Sequence, residues 1–541
     1  MDNIRGLFRV MFVFVVTAAV MGFDCISFEF GNGSRDIQES REGEWAAVGK
    51  TAYVDDIGFR EVICPELGFR IEVPGNMAVD GSLMPAFIRI SGPDMDIKLS
   101  RESSPYKDID GYFNVYLYKY LLDDGYREAN NIELLTDGYR GINGVRTRIL
   151  SFSRRPAPAG GRQNTYTHGL FITGEKEFYS CFIRSGSSGE QAEIIRQVLG
   201  SFRKIEAEGG PEFDIAFKPE LPGWNEETRA FYDELAGSRD IKWGIFYPNS
   251  LTKGFSRIEE IEKELGYNFP LTLHYIYLGH QFPMEGMAEA YRRGKTVELT
   301  MQVMWNVAPG NTDAEKKNIN FDVIDGLYDD YLISFAREAK AFGHPFIFRL
   351  NNEMNSTWVR YSGIALLCDP DIYIRVWRHI YDIFEKEGVR NAIWVFNPND
   401  VDFPPLNWNS HVSYYPGNGY VHLIGLTGYN TGTYYKELTQ ENWRSFAQIY
   451  EPLNEKYSAI YGKFPWMITE FACSSVGGDK EQWIRDMFDS IHGYSNIKAA
   501  LWWSYADYDY SKGKENAVAA RRYWLDEKPE YLKAFREGLD K

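Results

Sequence analysis

The sequence is poor in cysteine, in histidine and in positive charge. Its 541 residues include 5 cysteines and 8 histidines, and 59 Lys and Arg stand against 76 Asp and Glu, for a formal net charge of −17. So few and so scattered cysteines exclude a disulfide scaffold. The negative charge argues against nucleic acid and anionic membrane surfaces as partners, because both require a basic surface. This balance suits a neutral ligand.

Long apolar runs are also missing, except at the N-terminus. There, Arg5 and Arg9 precede the apolar stretch 10–21, which Asp24 then interrupts. A membrane-spanning helix needs about 20 apolar residues, whereas a basic start followed by a shorter run is the layout of a secretory signal. We therefore expect residues 1–28 to be a signal peptide or an N-terminal anchor. The protein is then secreted or at the cell surface, with no other integral membrane role.

The histidines and cysteines suggest no metal chemistry. His274, His280 and His344 lack ligand-like spacing, so they predict no metal site. No organic cofactor is expected either. Cys64 and Cys181 lie in predicted strands and are expected to be buried free thiols, with a disulfide between them left open. Aromatic residues, in contrast, make up 16% of the chain. They suit the stacking of flat ligands such as sugar rings, and equally the packing of a barrel core.

The length predicts two domains, since it is too great for one core. Residues 45–205 alternate strand runs with turns, and several runs show the period of two that is typical of antiparallel strands. With two helical patterns among them, they predict a smaller α+β layer domain. Its opening Gly68-Phe-Arg-Ile-Glu-Val-Pro74 and its closing Gly200-Ser-Phe202 resemble the PsbP-like fold, which implies no chemistry. Residues 206–238 are polar and are expected to be a linker.

From residue 239 onward, strand runs alternate with long helical patterns. The eight strand runs are 241–247, 271–277, 296–304, 346–349, 392–397, 423–429, 466–470 and 499–504. They predict a parallel (β/α)8 TIM barrel over residues 239–541, with catalytic residues at the C-terminal ends of its strands. The predicted fold class is therefore α/β, a C-terminal TIM barrel preceded by the α+β domain. A monomer is expected.

The fourth barrel strand predicts a carboxylic acid at its end. Arg349, Asn351 and Glu353 follow apolar residues at a spacing of two, which in a strand places them on one face. An Arg and a Glu on the inward face of a buried strand are costly unless they are paired or used. The seventh strand ends in Glu470. A buried Glu beside an Arg is often structural, but two carboxyl groups at two strand ends are what a glycosidase requires.

Six motifs occur in order over strands four to seven. They are Arg349-Leu-Asn-Asn-Glu-Met-Asn-Ser-Thr-Trp358, Trp377-Arg-His-Ile380, Gly388-Val-Arg-Asn-Ala-Ile-Trp-Val-Phe-Asn-Pro-Asn399, Tyr414-Tyr-Pro-Gly-Asn-Gly-Tyr420, Gly425-Leu-Thr-Gly-Tyr429 and Ile468-Thr-Glu-Phe471. In these motifs the C-terminal domain resembles glycoside hydrolase family 26, typified by endo-β-1,4-mannanases. The resemblance implies a retaining double displacement with Glu353 as acid/base and Glu470 as nucleophile. Arg349 and Tyr429 are expected to support the nucleophile.

The expected ligand is a polysaccharide, with β-1,4-mannan first. Trp358, Trp305 and Trp503 are candidate stacking platforms, and each suits barrel-top packing as well. Asn352 and Thr427 stand where the resemblance leads us to expect His and Asp in the substrate site. These departures leave β-1,3-xylan and mixed-linkage β-glucan open as substrates. The alternative from another class is a carbohydrate-binding barrel without turnover.

Overall fold

The computed structural model describes residues 58–155, 163–305 and 316–541. The described residues form two compact units. One contains 58–215 with the loop Phe403–Ser413, and the other contains Ala216–Asp402 with Tyr414–Lys541. The segment 1–28, expected to be a signal or anchor, lies outside the described residues. Within them, no helix combines the length and the hydropathy that a bilayer crossing would need.

Antiparallel sheets make up the first unit. Its strands are β1 Phe59–Cys64, β2 Phe69–Pro74, β3 Ala78–Asp80, β4 Ile88–Ser91, β5 Met95–Ser103, β6 Ile132–Ile142, β7 Val145–Arg154, β8 Thr165–Ile172, β9 Glu177–Ser185 and β10 Arg203–Lys204. Its helices are α1 Ile109–Tyr112, α2 Asp124–Ala129 and α3 Gly189–Ser201. Seven strands form one sheet in the order β3-β4-β5-β9-β8-β7-β6, and β1, β2 and β10 form another. Cys64 and Cys181 are buried and free.

Strand β5 lies inside the seven-stranded sheet although the sequence did not predict it. Asp96 and Lys98 alternate there with apolar residues, and both are buried. In the sequence alone, charged residues at alternate positions argue against a buried strand, because a buried charge without a partner is costly. Asp96 is balanced by Arg89 at 2.8 Å and by Arg184 at 3.0 Å. These partners come from the neighbouring strands β4 and β9, so only the assembled sheet makes β5 stable.

Eight parallel strands close into a barrel in the second unit. They are β11 Lys242–Phe246, β12 Leu271–Tyr277, β13 Thr296–Gln302, β14 Phe346–Leu350, β15 Ala392–Phe396, β16 Leu423–Thr427, β17 Trp466–Phe471 and β18 Ile497–Trp503. Strand β18 pairs with β11, which completes the barrel. The predicted TIM barrel is confirmed, with every strand end within two residues of its predicted position. A hairpin of β19 Ala506–Asp509 and β20 Val518–Arg522 follows.

Helices connect most of the barrel strands. They are α4 Glu226–Gly237, α5 Gly254–Leu265, α6 Met284–Arg292, α7 Ile319–Ile324, α8 Asp329–Phe342, α9 Pro370–Glu387, α10 Lys436–Thr439, α11 Phe446–Tyr461, α12 Lys480–Ile491 and α13 Pro529–Leu539. Helix α9 shows why they begin and end where they do. The Asp369 side chain caps its start, Pro370 occupies its first turn, and Gly388 ends it with a φ of 76°.

The segment 206–238, predicted to be a linker, contains helix α4. Tyr232 on this helix donates a hydrogen bond to the carbonyl of His422 (3.2 Å). Trp224, just before it, donates to the carbonyl of Ala392 (3.0 Å). The end of the segment therefore packs against the barrel. The polar composition of the segment did not indicate this packing, because only a few of its side chains contact the barrel.

Candidate active site

The chain turns sharply at the end of strand β14. The strand ends at Leu350, and Asn351 and Glu353 have φ values of 52° and 57°, in the left-handed region that non-glycine residues rarely adopt. The Glu353 N–H donates to the carbonyl of Asn397 (2.8 Å), which holds the turn. The predicted regular alternation through Glu353 is therefore wrong beyond Leu350. A backbone turn, and not a strand face, places Glu353 beside Arg349 and its partners.

Glu470, on β17, is buried and accepts four hydrogen bonds. Its Oε1 accepts from Arg349 Nη1 (2.7 Å) and Asn352 Nδ2 (3.4 Å). Its Oε2 accepts from the hydroxyls of Tyr275 (2.7 Å) and Tyr429 (2.8 Å). Hydrogen bonds to a carboxylate, one of them from a guanidinium, favour its ionised form. Glu470 is thus held as an anion at the C-terminal end of its strand, where it can act as a nucleophile.

Glu353 has the opposite environment. It is buried, and its Oε2 has two long contacts, with Asn352 Nδ2 and Trp358 Nε1, both at 3.4 Å. Burial, and then the negative charge of Glu470, raise the pKa of the Glu353 carboxyl well above its ordinary range. The group therefore keeps its proton at neutral pH and can act as an acid. The site thus contains one protonated carboxyl group, Glu353, and one ionised carboxylate, Glu470.

Arg349 is fully buried between two carboxyl groups. Its Nη1 lies 2.7 Å from Glu470 Oε1, and its Nε lies 2.8 Å from Glu298 Oε1. The Nε also donates to Thr300 Oγ1 (2.8 Å), and Nη1 donates to Asn397 Oδ1 (2.9 Å). Burial raises the pKa of the Glu298 carboxyl to about 8. At neutral pH the ionised partner of Arg349 is therefore Glu470.

Two donors orient the side-chain amide of Asn352. Gln302 Nε2 and the Tyr361 hydroxyl both donate to Asn352 Oδ1 at 3.0 Å. The atom that accepts these two bonds must be the amide oxygen, so the other terminal atom of the Asn352 side chain is the nitrogen Nδ2. Nδ2 lies 3.4 Å from Glu353 Oε2 and 3.4 Å from Glu470 Oε1. Those two oxygens are therefore no farther apart than twice that distance.

Trp503 lies beside Tyr429, one of the hydrogen-bond donors to Glu470. Its ring stacks on Phe246 (5.4 Å between centroids) and meets the ring of Tyr429 edge-on at 6.0 Å. The adjacent Trp502 contacts Phe471 instead, so Trp503 is the inward residue of the pair. Only 2% of Trp503 is exposed, so its ring packs in the barrel wall and offers little open surface for stacking.

The other predicted ligand contacts lie at the edge of the site or beneath it. Trp305 is half-buried and packs edge-on against Tyr328 (6.1 Å). Thr427 is buried, and its hydroxyl bonds to Asn397 (3.1 Å) and Thr469 (3.3 Å). Since Asn397 contacts Arg349, Thr427 supports the site from below. Of the predicted ligand-binding residues, Asn352 and Trp358 contact the Glu353 carboxyl group.

Several site residues on strands β12 and β13 escaped the sequence reasoning. Glu298, Thr300 and Gln302 occupy every second position of β13, and each contacts Arg349 or Asn352. Their spacing of two could have predicted that they line the site together, because residues at alternate positions of a strand share a face. Tyr275 gave no comparable signal, since aromatic residues are common in strands.

Solved structures with a similar chain path include two mannanases. The catalytic domain of a Bacillus sp. JAMB-750 GH26 endo-β-1,4-mannanase is 19% identical, with a TM-score of 0.42, over 60% of this chain and 93% of that one. A modular endo-β-1,4-mannanase from Cellulomonas fimi is 17% identical, with a TM-score of 0.42, over 60% of this chain and 76% of that one.

Sequence comparison identifies the C-terminal region. The pattern of Glycosyl hydrolase family 26 matches residues 311–496, which include both catalytic candidates. Endoglucanase H of Acetivibrio thermocellus is 32% identical over 221 residues, 40% of this chain and 23% of that protein. A mannan endo-1,4-beta-mannosidase of Bacillus subtilis is 26% identical over 148 residues, 25% of this chain and 39% of that protein. The chain thus matches well under half the length of either relative. Its C-terminal region contains a glycosyl hydrolase family 26 domain.

Proposed function

We propose that the barrel is a retaining endo-β-glycanase. The observation that carries this proposal is the contrast between two carboxyl groups. Glu470 accepts four hydrogen bonds, one of them from Arg349. Glu353 is buried with a raised pKa. An anionic nucleophile and a protonated acid, set apart by their environments, are the two groups that a retaining glycosidase needs.

The proposed reaction proceeds in two steps. Glu470 attacks the anomeric carbon while Glu353 gives its proton to the departing glycosidic oxygen, which leaves a glycosyl ester on Glu470. Glu353, now ionised, then takes a proton from water. The oxygen of that water attacks the anomeric carbon and releases the sugar and the free Glu470 carboxylate. No metal or organic cofactor enters this scheme.

The spacing of the carboxyl groups supports retention over inversion. Retaining enzymes hold the two groups about 5–5.5 Å apart, and inverting ones about 6.5–9.5 Å apart. The shared contact with Asn352 Nδ2 limits the facing oxygens to at most twice 3.4 Å. Most of the inverting range lies beyond that limit.

The first candidate substrate is β-1,4-mannan. Two curated relatives carry the name mannan endo-1,4-beta-mannosidase, one from Caldalkalibacillus mannanilyticus at 30% identity and one from Bacillus subtilis at 26%. The two matches cover 23% and 25% of this chain. Their substrate is therefore the natural first choice for an assay.

A β-glucan is the second candidate, and two observations favour it. The match to Endoglucanase H covers 40% of the chain, more than either mannosidase match. In addition, Asn352 stands between the two carboxyl groups where the family resemblance leads us to expect His. An amide and an imidazole place their donors differently, so this position is a reasonable determinant of the preferred sugar.

The release of reducing sugar from mannan, mixed-linkage β-glucan and β-1,3-xylan tests the proposal. We expect release from one of the three, lost in Glu470→Ala and kept in Glu455→Gln, which changes an exposed residue of α11. NMR of the first product tests retention, and an α-anomer would contradict it. Binding without release from any of the three would favour a non-catalytic carbohydrate-binding barrel.

We also infer secretion or surface display. The support is the apolar stretch 10–21 behind Arg5 and Arg9. Cell fractionation of an expressing culture tests this inference. The protein is expected in the medium or on the cell surface, and recovery of the full-length chain from the cytosol alone would contradict it.

A further inference from the structure

Glu298 is a second buried carboxyl group in the site, and the proposed reaction does not use it. It lies on β13 and is 0% exposed. Its face of the strand also carries Thr300, which accepts a hydrogen bond from Arg349, and Gln302, which donates one to Asn352. The neighbours of Glu298 on this face thus support groups that contact Glu470.

Glu298 lacks the hydrogen bonds that an ionised carboxylate needs. Its Oε1 lies 2.8 Å from Arg349 Nε, but that N–H is directed at Thr300 Oγ1. Within the described ranges, neither oxygen of Glu298 has a hydrogen-bond partner, and neither does Arg349 Nη2. Glu470, in contrast, accepts four hydrogen bonds. A buried carboxylate without donors is costly, so the neutral acid is the favoured form.

The charges around Glu298 point the same way. Arg349 on β14 and Glu470 on β17 are the charged groups that face it, and the Tyr275 ring of β12 lies 5.4 Å from the guanidinium. One cation therefore stands between two carboxyl groups, and a second ionised carboxylate would leave a net negative charge buried. Burial raises the pKa of Glu298 to about 8, with Glu470 acting in the same direction and Arg349 against it.

We propose that Glu298 is a positioning residue that works as a neutral acid, holding Arg349 in place while leaving the charge of the guanidinium to Glu470. An ionised Glu298 would instead compete with Glu470 for the positive charge of Arg349. The positioning role rests on the proposed function, because it matters only where Glu470 is the nucleophile. The protonation state of Glu298 does not depend on that function.

Infrared difference spectra test the protonation state without any substrate. Near neutral pH, the wild type minus Glu298→Gln should show the C=O band of a protonated carboxylic acid. The band should disappear as the pH rises through about 8. The difference between the wild type and Glu353→Gln should show a second band of a protonated acid. The difference between the wild type and Glu455→Gln, at an exposed residue, should show no such band. Loss of a carboxylate band, instead of an acid band, in Glu298→Gln would overturn the proposal.

Kinetics test the positioning role. Glu298→Gln keeps the size and neutrality of the acid, so kcat should stay within about threefold of the wild type. Glu298→Leu removes the polar neighbour of Arg349 and should lower kcat by about 10- to 100-fold with little change in KM, as expected when a reacting group is slightly misplaced. An equal loss in both variants would show that the charge of Glu298 is required, which contradicts the proposal.

The infrared and kinetic experiments distinguish a failure of this proposal from a failure of the proposed function. If the wild type releases sugar from none of the three polysaccharides, the proposed function is wrong, and the infrared spectra still decide the state of Glu298. If Glu298→Leu does not fold, Glu298→Gln and its spectra still give the answer.

Discussion

Tyr275 donates a hydrogen bond of 2.7 Å to Oε2 of Glu470, 195 residues later in the chain. Tyr429 donates a hydrogen bond of 2.8 Å to the same oxygen. The Tyr275 ring also lies over the guanidinium of Arg349. Both tyrosines and the arginine thus contact the two oxygens of the Glu470 carboxyl group. They come from β12, from β14 and from the turn just after β16.

Removal of either tyrosine hydroxyl should weaken that hold. Hydrogen bonds to charged groups contribute about 1.5–3 kcal/mol, so Tyr275→Phe and Tyr429→Phe should each lower kcat by about 10- to 100-fold. Steady-state kinetics on the preferred polysaccharide measure this. Tyr494→Phe, at a half-buried tyrosine after α12, is the matched control. Unchanged kcat in Tyr275→Phe would mean that this bond does not serve the reaction.

Loss of the proposed nucleophile should remove turnover altogether. Glu470→Ala should lower kcat by on the order of 10⁴-fold, as the removal of a reacting group does. A 2-deoxy-2-fluoro glycoside with a good leaving group should label the wild type, and peptide mass spectrometry should find the sugar on Glu470. A label on another residue would contradict the assignment.

The acid role of Glu353 predicts a specific dependence on pH and on the leaving group. The protonated form is the active one, so kcat/KM should fall as the pH rises through the raised pKa of Glu353. In Glu353→Ala this alkaline decline should disappear. The variant should still be glycosylated by aryl glycosides whose leaving groups need no proton, and azide should then restore turnover.

Equal losses on activated and unactivated substrates in Glu353→Ala would contradict this role. The control is Glu455→Gln, which should keep the wild-type pH profile, because residue 455 is exposed on α11.

The buried acid at position 298 should also make stability depend on pH. Its pKa is about 8 in the folded protein and about 4.3 when the chain is unfolded. Between these values the folded state holds a proton that the unfolded state has lost, so the free energy of unfolding falls as the pH rises through this window. Glu298→Gln removes this contribution, which is on the order of a few kcal/mol.

Urea unfolding of the wild type and of Glu298→Gln across this window measures the effect. The variant should gain stability relative to the wild type as the pH rises, and most of the gain should be complete once the pH exceeds about 8. Parallel pH profiles for the two proteins would show that Glu298 is ionised in the folded state.

The sequence by itself determined the barrel and brought Glu353 and Glu470 to the ends of two of its strands. The period of the apolar residues is a local property, so the strand runs from 241–247 to 499–504 could be predicted within two residues. The rule that catalytic groups stand at strand ends made Glu353 and Glu470 the catalytic candidates. The resemblance of the motifs on strands four to seven agrees with the family that sequence comparison later identified.

Only the tertiary structure decided how these acids differ. The raised pKa of Glu353 and the four donors around Glu470 arise from burial and from residues that are distant in sequence. The left-handed turn at Glu353 depends on its hydrogen bond with Asn397. Tyr275 and Glu298 acquire their roles only when β12, β13, β14 and β17 meet in the barrel. A local pattern can place a side chain at a strand end, but its charge state depends on what the closed barrel brings against it.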